Sequence, residues 1–334
     1  MKTTMTTTMT TAFPTARRAA LLATLALAVA PHAALAQAWP GKTIRIVVPY
    51  TPGGSSDIIA RAISEPLAAA LKQSVIVENR PGANGNTGTD SVAKSPADGY
   101  TLLLCDVGAL AITSSVYAKL PFDPKKDLRG VTMLAYSPHL LVVHPSVPAN
   151  NLKELVALSQ KEPLSFAVTA IGSAPHLAGI AVEQATKAKW TYIPYKGGSQ
   201  AIGDTVAGQT QVLMNGMLAT LPFVQSGKLK VLGVSKATRV PLLPDVPTIA
   251  EQGVAGFESG TWQGLLVPAG TPPDVVARLG AELTRIIRSP EIRSRLTVQG
   301  AEVYTMSPAE FATFFAKEQK RWADVVAGGG VKIE

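Results

Sequence analysis

VVPYTPGGSSDIIAR (residues 47–61) carries an apolar strand into a Pro-Gly-Gly turn and then into a Ser-Ser-Asp helix start. A strand that turns tightly into a helix is the unit from which α/β layers are built. The same turn aims backbone N–H groups that have no helical partner at a point just beyond the strand end. Those groups carry about half a positive charge, so a carboxylate can dock there without a buried Lys or Arg. Two readings fit the residues. One is a cradle for an anion; the other is an ordinary βα turn in which Gly53 and Gly54 supply unusual backbone angles and Ser55 or Ser56 caps the helix.

Outward from this segment the strand-then-helix pattern repeats. Apolar runs predict strands at 44–49, 75–78, 101–105, 140–143, 164–168, 212–214, 231–234 and 264–267. Helical spacing of apolar residues predicts helices at 57–71, 152–160, 175–188, 200–207, 273–287 and 308–326. Such alternation implies α/β layers with mostly parallel strands. Pro66 falls inside the first helix and is expected to kink or shorten it. Phe311, Phe315, Trp322 and Val326 recur near helical spacing and read as a core stripe. No long Gly/Ser or Pro-rich linker divides the chain, so a second domain is expected to be inserted into the first through paired crossovers, at 140–143 and near 262–267.

Residues 1–36 read as a secretory signal peptide. Arg17 and Arg18 precede the uncharged run 19–30, and Ala34, Leu35 and Ala36 form a small-x-small cleavage site before Gln37. The apolar run is shorter than the roughly 20 residues that span a bilayer. The twin arginines leave two export routes open, although Ala19 and Ala20 stand where a fuller twin-arginine signature would continue. Loss of this segment removes Lys2, Arg17 and Arg18 and no acid, taking the net charge from +8 to +5. The remaining cations are scattered, which excludes a nucleic-acid partner. Cys105 is the single cysteine, so no internal disulfide can form, and its place at the end of the run LLLC reads as a buried thiol.

The residues for catalysis are missing. His139, His144 and His176 show no metal-binding spacing, and there is no GxSxG elbow, P-loop or dinucleotide fingerprint. Ser173 and His176 lie three apart at a helix start, where a serine caps the helix or donates to a ligand rather than acting as a nucleophile. No cofactor or metal is expected. What the chain does contain is a second cradle. In FAVTAIGSAPHLAG (166–179) a strand leads to Thr169, Gly172 and Ser173 and then to a helix opened by Pro175, whose missing N–H costs little there. Two helix N-termini, one per domain, can close on one anion, with His176 free to bond the ligand or a neighbouring loop. An exported α/β chain with two such loops and no catalytic apparatus reads as a receptor, not an enzyme.

The ordered series VVPYTPGGSSDIIAR, VIVENRPGANGNTG, ADGYTLLL, LPFDPKKDL, APHLAG, PYKGGSQAIGDTVAGQ and LPDVPTIAEQG resembles the Bug-type substrate-binding receptors of tripartite tricarboxylate transporters, from about Trp39 to the C-terminus. The resemblance implies a two-lobed periplasmic-binding-protein (Venus-flytrap) fold, each lobe a mixed, mostly parallel sheet flanked by helices, joined by crossing strands. Residues 37–139 plus 262–334 would form lobe 1 and 140–261 lobe 2. It further implies a monomeric periplasmic protein that closes on a small carboxylate, the family's ligands including dicarboxylates, tricarboxylates, acidic amino acids and aromatic acids; this chain's departures from the family pattern favour a dicarboxylic or aromatic acid. The loaded protein would deliver the ligand to the transporter's membrane components or, as an alternative, signal to a membrane histidine kinase. An exported enzyme is the third class. Carried over by position, the ligand-binding residues would be Tyr50, Gly53, Gly54, Ser55 and Ser56 from the first loop and Thr169, Gly172, Ser173 and His176 from the second. The YKGG turn adds Tyr195, Lys196 and Gly197, and Asp57 is assigned to helix capping. Two departures bear on specificity. Asn215 stands where the family often has an acid, and Cys105 and Asp106 stand where it has a small Gly-Thr or Gly-Ser pair. Asp106 would either face the ligand or cap the next helix.

Overall fold

The computed structural model describes residues 3–8 and 39–329. The export segment therefore lies, apart from residues 3–8, outside the described residues, and those six form neither helix nor strand. The chain divides into Met1–Trp39 and Pro40–Glu334, and every helix and strand below belongs to the second unit.

Three parallel strands begin the unit: β1 (Ile44–Val48), β2 (Val75–Asn79) and β3 (Thr101–Asp106), ordered β2-β1-β3. Helix α1 (Ser55–Leu71) follows β1 and buries Ile59, Ile63, Leu67 and Leu71, one residue per turn, against the sheet. Pro66 neither ends nor shortens this helix, contrary to expectation. Packing on both sides of the proline outweighs the one backbone bond it removes. A 3-10 turn (Ala83–Gly85) leads into α2 (Asn86–Ala93), and β3 runs directly into α3 (Val107–Val116).

The next strand, β4 (Leu128–Val143), is far longer than the 140–143 expected, and it joins the two halves of the fold. Its first part, Leu128 to Pro138, pairs antiparallel with β9 (Gly260–Pro268), which in turn pairs antiparallel with β3. From His139 to Val143 it pairs instead with β7 (Val212–Gly216) and β8 (Lys230–Val234). Beyond β7 lie β5 (Leu164–Val168) and β6 (Trp190–Pro194), giving a second parallel set. Helices α4 (Leu152–Lys161), α5 (Ala174–Thr186), α6 (Gly198–Val206) and α7 (Met217–Gln225) cover this half. After β9 the chain returns to the first half as α8 (Pro273–Ile287), α9 (Pro290–Thr297), the short β10 (Glu302–Val303) paired to β4, and α10 (Pro308–Gly329).

The expected aromatic stripe of α10 is buried: Phe311, Phe315, Trp322 and Val326 pack with Met133, Val107 and Leu266. Phe311 lies flat over Gly130, where a Cβ would meet its ring at 2.2 Å. The second half has its own core around Phe166, Trp190, Val212 and Met214. Each half thus presents the carboxyl ends of its parallel strands, with the loops that follow them, toward the other.

Candidate functional site

Between those strand ends lies a cavity lined by Tyr50, Gly54, Ser55 and Ser56 from the β1–α1 loop, Asn84, Asp106 and Ala109 from the first half, and Thr169, Ser173 and Pro175 from the β5–α5 loop. Gly198, Asn215, Thr261 and Gln263 complete the wall. It offers about 50 Å³ to the centres of water-sized molecules, room for several waters or for one small acid. Among the described residues its lining contains no lysine, arginine or histidine.

The local sequence explains the first loop. Gly53 takes φ 84, a left-handed angle that glycine adopts without strain, and Gly54 caps α1 with no side chain bonded to its first-turn amides. Asp57 is not the helix cap in the usual sense. Its carboxylate reaches back to the Gly53 N–H (2.8 Å) and accepts from Arg61 Nε (2.9 Å) and Asn79 Nδ2 (2.9 Å). Burial alone would raise its pKa, but hydrogen bonds from Arg61, Gly53 and Asn79 outweigh it and hold the group below the usual carboxylate value. Asp57 therefore pins the loop from behind and turns its charge away from the cavity wall. With Asp57 engaged outside, the amides of the α1 N-terminus face the cavity without a competing acceptor.

The second loop is fixed by Ser173 and His176. Ser173 caps α5, its hydroxyl accepting from the His176 N–H (3.3 Å) while donating to the Ala170 carbonyl (2.7 Å). Pro175 sits in the first turn, as expected. The Gly172 N–H donates to His176 Nδ1 (3.0 Å), and the ring packs edge-on to Tyr192 at 4.7 Å. Burial lowers the His176 pKa to about 4, so the ring is neutral and serves the loop as an acceptor.

Of the residues read from sequence, Tyr50, Gly54, Ser55, Ser56, Asp106, Thr169, Ser173 and Asn215 meet in this one wall. Gly53, Gly172, His176, Tyr195, Lys196 and Gly197 are not part of it. Lys196 is exposed, its N–H bonded to Gln200 Oε1, and the Tyr195 hydroxyl donates to Asp204 (2.8 Å). Gly197 instead lies where the two halves touch. A Cβ there would stand 2.1 Å from Thr51 Oγ1, and Thr51 and Ser199 share a hydrogen bond of 2.8 Å. Asn84 Nδ2 makes a second bridge to the Gly172 carbonyl (3.1 Å).

Asp106 both caps and lines. It is the N-cap of α3, with Oδ1 accepting from Gly108 N (2.9 Å) and Trp262 N (3.2 Å), and it also forms part of the wall. Burial raises its pKa to about 7 against the opposing pull of those N–H groups. Cys105 beside it is 1 % exposed, as read from its apolar run, and burial first and Asp106 second push its thiol well up. It is expected to stay unmodified by a disulfide reagent in the folded protein and to react at once in denaturant; prompt labelling of the native chain would contradict this packing.

Sequence reasoning did not assign Asn84, Ala109, Pro175, Gly198, Thr261 and Gln263 to the site. Thr261 and Gln263 alternate with Trp262 along β9, and that period of two is a usable sign of a shared face. Which face meets the cavity follows only from the pairing of β9 with β3 and β4.

The chain is similar to known proteins over most of its length. The family described as tripartite tricarboxylate transporter family receptor matches residues 59–331. The solved periplasmic binding protein BugD is 32% identical, with a TM-score of 0.85 over 89% of this chain and 100% of its own. The Rhodopseudomonas palustris protein Rpa4515, solved with adipate, is 33% identical with a TM-score of 0.85, covering 88% of this chain and 99% of its own. MatC from the same organism, with bound malate, is 32% identical with a TM-score of 0.82 over 86% of this chain and 100% of its own.

Proposed function

The chain belongs to the tripartite tricarboxylate transporter receptor family, a family of two-lobed periplasmic solute-binding proteins and not of enzymes, and from this premise we infer that its cavity holds a small carboxylate, dicarboxylic or aromatic. We further infer that the loaded protein delivers this ligand to the membrane components of such a transporter. One observation carries the carboxylate reading: the N-termini of α1 and α5, from opposite halves, line one small cavity that contains no cationic side chain. Backbone dipoles, hydroxyls and side-chain amides are there to meet an anion, and an acid of low charge suits them better than a highly charged one. The ligand-contacting set is Tyr50, Gly54, Ser55, Ser56, Asp106, Thr169, Ser173 and Asn215, with Gly53, Gly172 and His176 shaping the two loops. Tyr195, Lys196 and Gly197 act at the rim. The adipate and malate bound by the two R. palustris relatives support the class.

We place lobe 1 at 37–139 plus 262–334 and lobe 2 at 140–261; the change of β4 partners after Pro138 supports this division. The protein is exported with cleavage near Ala36 and works as a monomer. Among the described residues no helix is long and apolar enough to cross a membrane.

The test is a thermal-shift screen of refolded protein against dicarboxylates, tricarboxylates, acidic amino acids and aromatic acids. A ligand that binds only the native state at a hundredfold excess over Kd stabilises by roughly 2.7 kcal/mol, a shift of several degrees for a chain of this size. A shift confined to one carboxylate class is the expected result. No shift with any acid would overturn the carboxylate reading.

A further inference from the structure

Asp106 and Gln263 are direct cross-strand neighbours: β3 pairs antiparallel with β9 so that their Cα positions face each other, and both residues line the cavity. Side chains so placed lie about 5 Å apart at Cβ and act on the same part of a ligand. Gln263 is 1 % exposed, and its Oε1 has no hydrogen-bond partner among the described residues. A buried amide oxygen without a donor costs the folded protein free energy, and it is unusual enough to need a reason. Among the described residues Asp106 supplies the only carboxyl group in the lining. Oδ1 is engaged by two backbone N–H groups, which orients the carboxyl without consuming all its acceptor capacity. The amides at the start of α1 and the β5–α5 loop supply donors to the same cavity.

We propose that the Asp106–Gln263 pair is a specificity subsite that accepts hydrogen bonds from a hydroxyl or ammonium group of the ligand, so that the protein selects donor-bearing small carboxylic acids over their donorless parents. The inference rests on the receptor reading above. A second bare carboxylate beside this pair would confront Asp106 and leave Gln263 Oε1 unpaired, whereas a donor would pair both acceptors. A site that leaves buried polar groups unpaired with the wrong ligand discriminates far more strongly than an apolar pocket does against an added or missing methylene. The raised Asp106 pKa agrees with this arrangement, because an ionised carboxylate enclosed there needs a donor or a cation to settle it.

The test compares matched series by titration calorimetry on the purified protein: succinate with malate and aspartate, and benzoate with 3- and 4-hydroxybenzoate. Wild type is expected to bind a donor-bearing member at least about tenfold more tightly than its parent. That ratio is expected to collapse toward one in both Asp106→Asn, which keeps an N-cap side chain, and Gln263→Met, which keeps the volume. Melting curves establish that each variant is folded, and either variant alone suffices if the other is not. Equal binding of parent and donor-bearing members, or a ratio that survives in a folded variant, overturns the subsite and leaves the receptor reading standing. Binding of none of the acids overturns both.

Discussion

Replacing Gly197 with alanine is expected to weaken ligand binding by about tenfold to a hundredfold while leaving the protein folded. A Cβ at this position would stand 2.1 Å from Thr51 Oγ1 and 2.9 Å from the Thr51 backbone nitrogen, and a backbone atom cannot be moved aside by a change of rotamer. Gly197 has φ 164, an extended conformation open to alanine, so its own backbone is not strained by the change. The clash falls wholly between the β6–α6 and β1–α1 loops. Those loops would have to separate, which breaks the Thr51–Ser199 hydrogen bond and admits water to the cavity. Gly203→Ala provides the control, because nothing lies within 4 Å of its added Cβ and alanine is favoured inside α6. Calorimetry with whichever acid wild type binds, together with melting of both variants, reads the effect. Wild-type affinity in Gly197→Ala would mean that this contact is no part of the bound arrangement.

Asp106→Asn is expected to stabilise the ligand-free protein at pH 8 by about 3–4 kcal/mol more than it does at pH 3. The carboxyl has a native pKa of about 7 against an ordinary value of 3.8. An acid raised in this way keeps its proton in the native state after the unfolded chain has released it. Wild-type stability should therefore fall as pH climbs from about 4 to 7 and level off above, whereas the amide carries no such term. The cause is burial first. The neighbouring Glu318 charge adds to it, while the N–H groups of Trp262, Gly108 and Ala109 oppose it, and the phenol of Tyr50 and the thiol of Cys105, both held neutral, complete the surroundings. Urea unfolding of both proteins at several pH values measures the difference. Parallel pH profiles would show that Asp106 is not raised. The same variant tests the subsite, and its expected stability means that a lost binding ratio would not come from unfolding.

The elements with a clean signal were legible. β1, β5 and α8 follow apolar runs or helical spacing, and their structural bounds agree with the reading to within a residue or so. α3 was missed because Val107 through Ile112 are all buried, so it has no polar face and no period to detect. The first part of β4 was missed because Gly130 and Pro138 break its apolar run. There the strand is held by partners from β9, more than a hundred residues away, and not by local preference. Pro66 is the opposite case, a strong local signal overruled by the packing of Ile63 and Leu67.

By itself the sequence determined that two Gly-rich strand-to-helix turns would stand at helix starts and that Cys105 and the α10 stripe would be buried. Those properties depend on neighbours within about one turn of chain, which the order of residues specifies directly. Only the tertiary structure decided that the two turns share one cavity, that Asp57 faces away while Asp106 faces in, and that Gln263 stands opposite Asp106 with an unpaired oxygen. These follow from the register of β3, β4 and β9, in which a shift of one residue would turn every side chain to the other face.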